Sequence, residues 1–143
     1  MQVKDVLARK GAAVATIGPD SSVVEVIASL SEHGVGALVV SGNGRTIEGI
    51  VSERDVVRAL NTFGVDLFTM TVHDIRTADV YTCVPTDEIR SVARTMTDKR
   101  FRHMPVTVDG VLAGIVSIGD LVKSRVDELE TEHDQLIGYI SSG

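Results

Sequence analysis

The segment Gly49-Ile50-Val51-Ser52-Glu53-Arg54-Asp55 returns downstream as Gly114-Ile115-Val116-Ser117-Ile118-Gly119-Asp120, and a chain carrying this stretch twice is expected to fold as two like units. Each copy reads as the end of a buried strand that runs straight into a helix. Ile-Val closes the strand, Ser is the helix N-cap, and Asp three residues on can accept from the cap's backbone N–H. The unpaired N–H groups of such a helix start carry partial positive charge and suit a phosphate, while the Ser hydroxyl and Asp carboxylate can bond the hydroxyls of a sugar. The same residues also make a capping box with no ligand at all, and the motif alone leaves both readings open.

The repeat runs through the rest of the chain. Val3-Lys4-Asp5-Val6-Leu7 resembles Val72-His73-Asp74-Ile75, a lead-in to each unit. Val14-Ala15-Thr16-Ile17 reads as a strand stopped by Gly18-Pro19-Asp20; its counterpart, offset by 66, is Val80-Tyr81-Thr82-Cys83-Val84, stopped by Pro85. Ser22 and Glu25 suit a capping box for a helix with Val23, Val26, Ile27 and Leu30 on one face. Sixty-six residues on, Ile89, Val92, Ala93 and Met96 repeat that stripe behind an Asp87 N-cap. A hairpin follows in each unit: Gly36 to Val40 with Ile47 to Val51, then Met104 to Val108 with Val111 to Val116 across the tight turn Asp109-Gly110, which lowers the offset to 65.

Each unit is therefore β-α-β-β-α, with a final helix from Asp55 to about Phe63 in the first and from Asp120 in the second. The expected division is residues 1–71 and 72–143. Asn61 to Thr71 is a linker whose Val65, Leu67, Phe68 and Met70 are expected on the core. From Val122 to Ile140 a helical stripe through Val126, Leu129, His133, Leu136, Ile137 and Ile140 outruns the repeat. That stripe needs a partner, either the module's own flank or a second subunit.

Composition narrows the function. A net charge of −6 and a pI near 5.1 argue against a general nucleic-acid binder. The opening Met1-Gln2-Val3-Lys4-Asp5 does not read as a leader and no apolar run nears membrane-spanning length, so a cytoplasmic, membrane-free protein is expected. Cys83 has no partner for an internal disulfide and is expected as core filler. The four histidines are scattered, and no nucleophile–base pair appears, so neither a metal site nor an enzyme is expected. No G-x-G-x-x-G follows a strand, which removes a Rossmann site.

Taken together, these residues resemble a tandem pair of CBS domains (cystathionine β-synthase domains), the regulatory Bateman module, in the form of its small stand-alone bacterial members. The Val-x-Thr strand, the striped helix, the hairpins opening Gly-Ala-Leu-Val-Val and Arg-His-Met-Pro-Val, and the Gly-Ile-Val-Ser-x-x-Asp junction occur in family order over nearly the whole chain. The resemblance implies an α/β (α+β) fold of two repeats packed sheet to sheet as one module with an extended C-terminal helix, two clefts related by an approximate twofold, and a flat homodimer. It implies a non-catalytic energy sensor that binds an adenosine-containing ligand. AMP comes first, with ADP, ATP, S-adenosylmethionine, or NAD(H) through its AMP half as alternatives. Occupancy would be passed to an unidentified regulated protein; the other class of reading is a ligand-free dimerisation or interaction module working through the C-terminal helix.

Carried over position by position, the resemblance implies that Asp55 and Asp120 accept from ribose hydroxyls and that Ser52 and Ser117 bond ribose or phosphate. Thr16 and Thr82 would contact base or ribose, and the backbone around Gly36-Ala37 and Arg102-His103 would edge the adenine. Phosphate would fall to Arg102 and His103 in the second unit and to Arg54 in the first. Gly36 and Ala37 are neutral, and Gly119 replaces Arg54, so the clefts are expected to differ. Two positions depart from the family: Arg76-Thr77 follows Ile75 in place of Met-Thr, and Val39 stands where the second copy has Pro105.

Overall fold

The apolar stripes through Val26 and Val92 and those of the two lead-ins find a core, but the lead-ins find theirs in the opposite repeat. The computed structural model describes residues 1–142. Helix α1 (Val3–Lys10) buries Val3 and Val6 among Ile89, Val92, Met96, Met104 and Val116 of the second copy. The short α4 (Val72–Ile75) buries Val72 against Ile17, Val26, Leu38 and Val51 of the first.

Both docks use the same bonds. Val3 N–H donates to Asp87 O and Lys4 N–H to Pro85 O; Val72 N–H donates to Ser21 O and His73 N–H to Pro19 O. The accepting pairs lie 66 residues apart, whereas the donating lead-ins match at an offset of 69. The first lead-in is thus longer by three residues before its strand begins. The extra length becomes another turn of α1, which ends at Lys10.

The first copy forms β1 (Thr16–Ile17), α2 (Val23–His33), β2 (Ala37–Val40), β3 (Gly49–Ser52) and α3 (Glu53–Phe63). Its sheet has the order β1-β2-β3, with β1 parallel to β2 and β3 antiparallel to it. The second copy forms α5 (Ile89–Lys99), the antiparallel pair β4 (His103–Val108) and β5 (Val111–Ser117), and α6 (Ile118–Ser142). Asp109 (φ 52°) and Gly110 (φ 77°) both take the left-handed conformation that a two-residue hairpin turn of this hand requires.

Several expectations are corrected. No strand forms over residues 80–84; Cys83 makes one parallel bridge to Val106, the counterpart of Ile17 with Val40. The reason is Pro105. In the first copy Val39 N–H donates to Ala15 O, and proline at the matching position has no N–H to give Tyr81. Glu88, not Asp87, is the N-cap of α5, and Asp87 Oδ2 instead accepts from Val84 N–H at 2.9 Å. Ile27 is 40% exposed, outside the buried stripe of Val23, Val26 and Leu30. In the linker Val65 and Phe68 face outward: it is a 3-10 helix (Gly64–Thr69), whose three-residue turn puts Leu67 and Met70 on the core face.

The 25-residue α6 is about 37 Å long at ~1.5 Å per residue, yet only Leu121 and Ser124 near its start are buried. Leu129, Leu136, Ile137 and Ile140 are exposed. Among the described residues no helix is long and apolar enough to cross a membrane. Cys83 is buried as core filler, and burial, helped by the Asp87 carboxylate, pushes its thiol up to about 12.

The exchange of lead-ins demands close crossings. A Cβ on Gly49 of β3 would stand 2.7 Å from Arg76 Cδ and 2.9 Å from the Thr77 carbonyl oxygen, whereas one on Gly114 of β5 would meet the movable end of Leu7 at 3.0 Å. Gly49→Ala should therefore destabilise the fold by about 1–3 kcal/mol in urea unfolding, and Gly114→Ala by clearly less. Equal, small effects of the two would contradict a tight crossing at Gly49.

Candidate functional site

The site is built on the start of α3. Ser52 Oγ accepts from Asp55 N–H at 3.3 Å, and Asp55 Oδ2 accepts from Ser52 N–H at 2.8 Å and from Ser52 Oγ–H at 3.1 Å, a complete capping box. The other carboxylate oxygen is left almost free. Oδ1 receives only a long bond, 3.4 Å, from Thr77 Oγ1, which α4 carries across from the second lead-in.

This corner opens into a cleft of about 380 Å³ walled by both repeats: the start of α3 on one side, the junction of α5 and β4 on the other, and Thr77 to Tyr81 between them. It is lined by five permanent cations (Arg54, Arg58, Lys99, Arg100 and Arg102) against three acids (Glu53, Asp55 and Asp79). In a chain of net charge −6 that is a local inversion of sign. Among the described residues none of the five makes an ion pair within 4 Å. Arg54 Nη1 donates to the Arg100 carbonyl at 3.0 Å, tying the two repeats together at the cleft.

Arg100 ends α5 in the left-handed conformation, φ 60° and ψ 46°. Its counterpart Gly34 ends α2 at φ 61° and ψ 37°. Glycine takes that conformation freely, while a residue with a side chain is strained there by about 1–2 kcal/mol. A guanidinium is thus held at the cleft against the backbone's preference. The Tyr81 and Phe101 rings stack at the same edge, 5.3 Å between centroids and 13° apart in plane, with Lys99 Nζ 5.9 Å from the Tyr81 centroid.

His103, half-buried at the cleft, has its ring so near Gly36 that a Cβ there would stand 3.2 Å from Cε1 and Nε2. Burial lowers its pKa from the usual histidine value; the Asp120 carboxylate opposes this, Lys10 and Arg102 reinforce it, and Glu53 opposes it. Burial thus favours the neutral imidazole over the imidazolium.

Of the residues singled out in the sequence, Gly36, Ser52, Arg54, Asp55, Arg102 and His103 gather in this one cleft. Arg102 and His103 thus face the Ser-x-x-Asp of the first repeat, where the repeat pattern had grouped them with the second. Ala37 has its side chain in the core and offers only backbone, paired with Ser52. Thr16 and Thr82 do not line the cleft. Ser117 and Asp120 form the matching capping box at the start of α6, with Ser117 N–H to Asp120 Oδ2 at 2.8 Å. There Lys10 Nζ also donates to Asp120 Oδ2, at 2.7 Å. Burial on its own would raise the Asp120 carboxyl; the bonds from Lys10 and Ser117 outweigh it and hold the group below the usual carboxylate value.

Sequence reasoning did not place Tyr81, Lys99, Arg100 and Phe101 at the cleft and gave Thr77 no role there beyond its departure from the family pattern. One signal was available: Arg100 stands where the repeat places Gly34.

Comparison with known proteins gives one family. The sequence model of the CBS domain matches residues 3–62 and 72–127. A mitochondrial CBS domain-containing protein of Arabidopsis thaliana is 37% identical over 128 residues, 87% of this chain; the match spans 62% of that relative's length, somewhat under two thirds. A solved CBS-domain containing protein from Agrobacterium tumefaciens is 42% identical with a TM-score of 0.85, covering 87% of this chain and 99% of that one. A CBS domain protein from Pyrobaculum aerophilum, solved in complex with AMP, is 27% identical with a TM-score of 0.79 over 91% of this chain and 97% of its own.

A phosphate-bearing anion in the cleft favours the charged form of His103, so its binding should take up a proton. Affinity should rise as pH falls toward the lowered pKa of His103, beyond what the ligand phosphate's own protonation near pH ~6 accounts for, with the proton uptake read by calorimetry in buffers of different ionisation enthalpy. His103→Gln should remove the uptake; an unchanged proton count in that variant would exclude His103 as its source.

Proposed function

The chain belongs to the CBS domain family, and from that premise we propose that it is a non-catalytic regulatory module that binds an adenine nucleotide in the cleft between its repeats. The observation that carries this reading is the meeting, in one cleft, of a capped Ser52–Asp55 corner with a nearly free carboxylate oxygen and five permanent cations. Asp55 Oδ1 accepts from the ribose hydroxyls, Ser52 and the α3 start lie beside the sugar, and the backbone at Gly36 borders the base. The phosphate faces Arg54, Arg100 and Arg102, whose forked donors can take two oxygens each. AMP is the first candidate, supported by the AMP complex of the similar Pyrobaculum aerophilum protein. ADP, ATP and NAD carry the same adenosine end.

A ligand held by both repeats can act as a signal. It shifts the repeats, or the helices beyond them, only as far as it binds one arrangement better than another. We take residues 1–71 and 72–143 as the two sequence repeats of this module and α6 as its output. The exposed Leu129, Leu136, Ile137 and Ile140 on α6 favour a second reading alongside the first, in which the helix joins two copies or docks a regulated protein.

Calorimetry on ligand-stripped protein with AMP, ADP, ATP, NAD and NADH tests the proposal. At least one should bind, and Asp55→Ala should weaken it about 10- to 100-fold, the worth of losing charge-assisted bonds of roughly 1.5–3 kcal/mol. No heat from any of the five would overturn nucleotide sensing and leave the interaction reading.

A further inference from the structure

The helix starts of α3 and α6 match in sequence, but different groups reach them from the exchanged lead-ins. At α3, Thr77 comes in as backbone: its N–H donates to Ile50 O at 2.9 Å and its hydroxyl reaches Asp55 Oδ1 at 3.4 Å. At α6, the longer α1 brings Lys10 to the corresponding place. Lys10 Nζ donates to Ile115 O at 2.9 Å and to Asp120 Oδ2 at 2.7 Å. Ile115 and Asp120 are Ile50 and Asp55 moved by 65 residues, so one ammonium takes the carbonyl that the Thr77 amide takes, and bonds the carboxylate at its cap oxygen Oδ2 where the Thr77 hydroxyl reaches Oδ1.

The other positions that the repeat places around Asp120 are stripped in the same sense. Where the Ser52 cleft has Arg54, Arg100 and Arg102, the repeat puts Gly119, Gly34 and Gly36; where it has Tyr81 and Phe101, the repeat puts Ala15 and Val35. Among the described residues, one side has a carboxylate and arginines outside any ion pair, the other a carboxylate held in an ion pair by Lys10 and no arginines at these positions.

We propose that Lys10 closes the Ser117–Asp120 cleft from within, so that the module takes one nucleotide per chain, at the Ser52–Asp55 cleft, and that Lys10 is the residue that decides between the two. This rests on the function proposed above. An ammonium bonded at 2.7 Å to Oδ2 of a partly buried carboxylate already neutralises it, so ribose hydroxyls reaching for Asp120 would meet a paired group in place of a free anion. The three-residue lengthening of the first lead-in is what allows the lysine to reach.

Equilibrium dialysis and calorimetry with AMP on the full chain provide the test. Wild type should bind one AMP per chain. Lys10→Met should leave that affinity within about twofold and add a second event roughly tenfold or more weaker, because the opened cleft has a free carboxylate but no arginine forks. Adding Asp120→Ala to Lys10→Met should remove the second event. Two AMP per chain in wild type, or no second event in Lys10→Met, overturns the closure while leaving nucleotide sensing intact; no AMP bound at all overturns the sensing proposal and the count with it. The pairing is also read without ligand. Shifts in Tm for Lys10→Met and Asp120→Asn should be less than additive in the double variant, and strictly additive shifts would overturn it.

Discussion

The crossing of each lead-in onto the other repeat is the constraint on which the rest of this structure depends. It is held by apolar burial: Val3, Val6 and Val72 are almost fully removed from solvent, each side chain contributing on the order of 1.5–3 kcal/mol. The exposed Arg9–Asp127 pair that also spans the crossing contributes at most about 1 kcal/mol. Burial therefore decides the arrangement, and the polar contacts follow from it. Thr77 stands beside Asp55 only because α4 packs on the first repeat, and Lys10 stands beside Asp120 only because α1 packs on the second.

Duplication and divergence act on different parts of the molecule. The elements that make each repeat fold are kept in register: the capping boxes of α3 and α6, the buried stripes of α2 and α5, and the glycines at the crossings. Several of the residues that differ line the cleft. Arg100 shows this most clearly, since a left-handed cap that glycine would fill without strain is filled by a guanidinium where the cleft needs charge. Pro105 acts through the backbone in the same direction. By withholding one N–H it leaves Tyr81 outside a strand ladder, at the cleft edge, where the ring stacks on Phe101.

Much of this was legible in the sequence because periodicity and capping are local. The two helical stripes, both hairpins, the Asp109-Gly110 turn and the Ser-x-x-Asp helix starts are set by residues within a few positions of one another, and their side-chain spacing states them directly. The cleft was legible in part. Ser52, Asp55, Arg102 and His103 could be named, but not that they belong together, because a repeat pattern groups residues within a copy while the packing of the two copies groups them across. Thr77, Tyr81, Lys99 and Lys10 have no local signature; each matters through what lies 20 or more residues away. The linker shows the same limit on a smaller scale, since Val65 and Phe68 are apolar but fall off the core face of a 3-10 turn.

The central claim is that one cleft, shared by both repeats, is the nucleotide site. A crystal structure of the chain grown with excess AMP tests it most directly. The account predicts one AMP per chain, its ribose hydroxyls on Asp55 Oδ1 and its phosphate among Arg54, Arg100 and Arg102, with Lys10 still bonded to Asp120. AMP seated on Asp120 with Lys10 displaced, or a Ser52–Asp55 cleft empty beside an occupied site elsewhere, would contradict it.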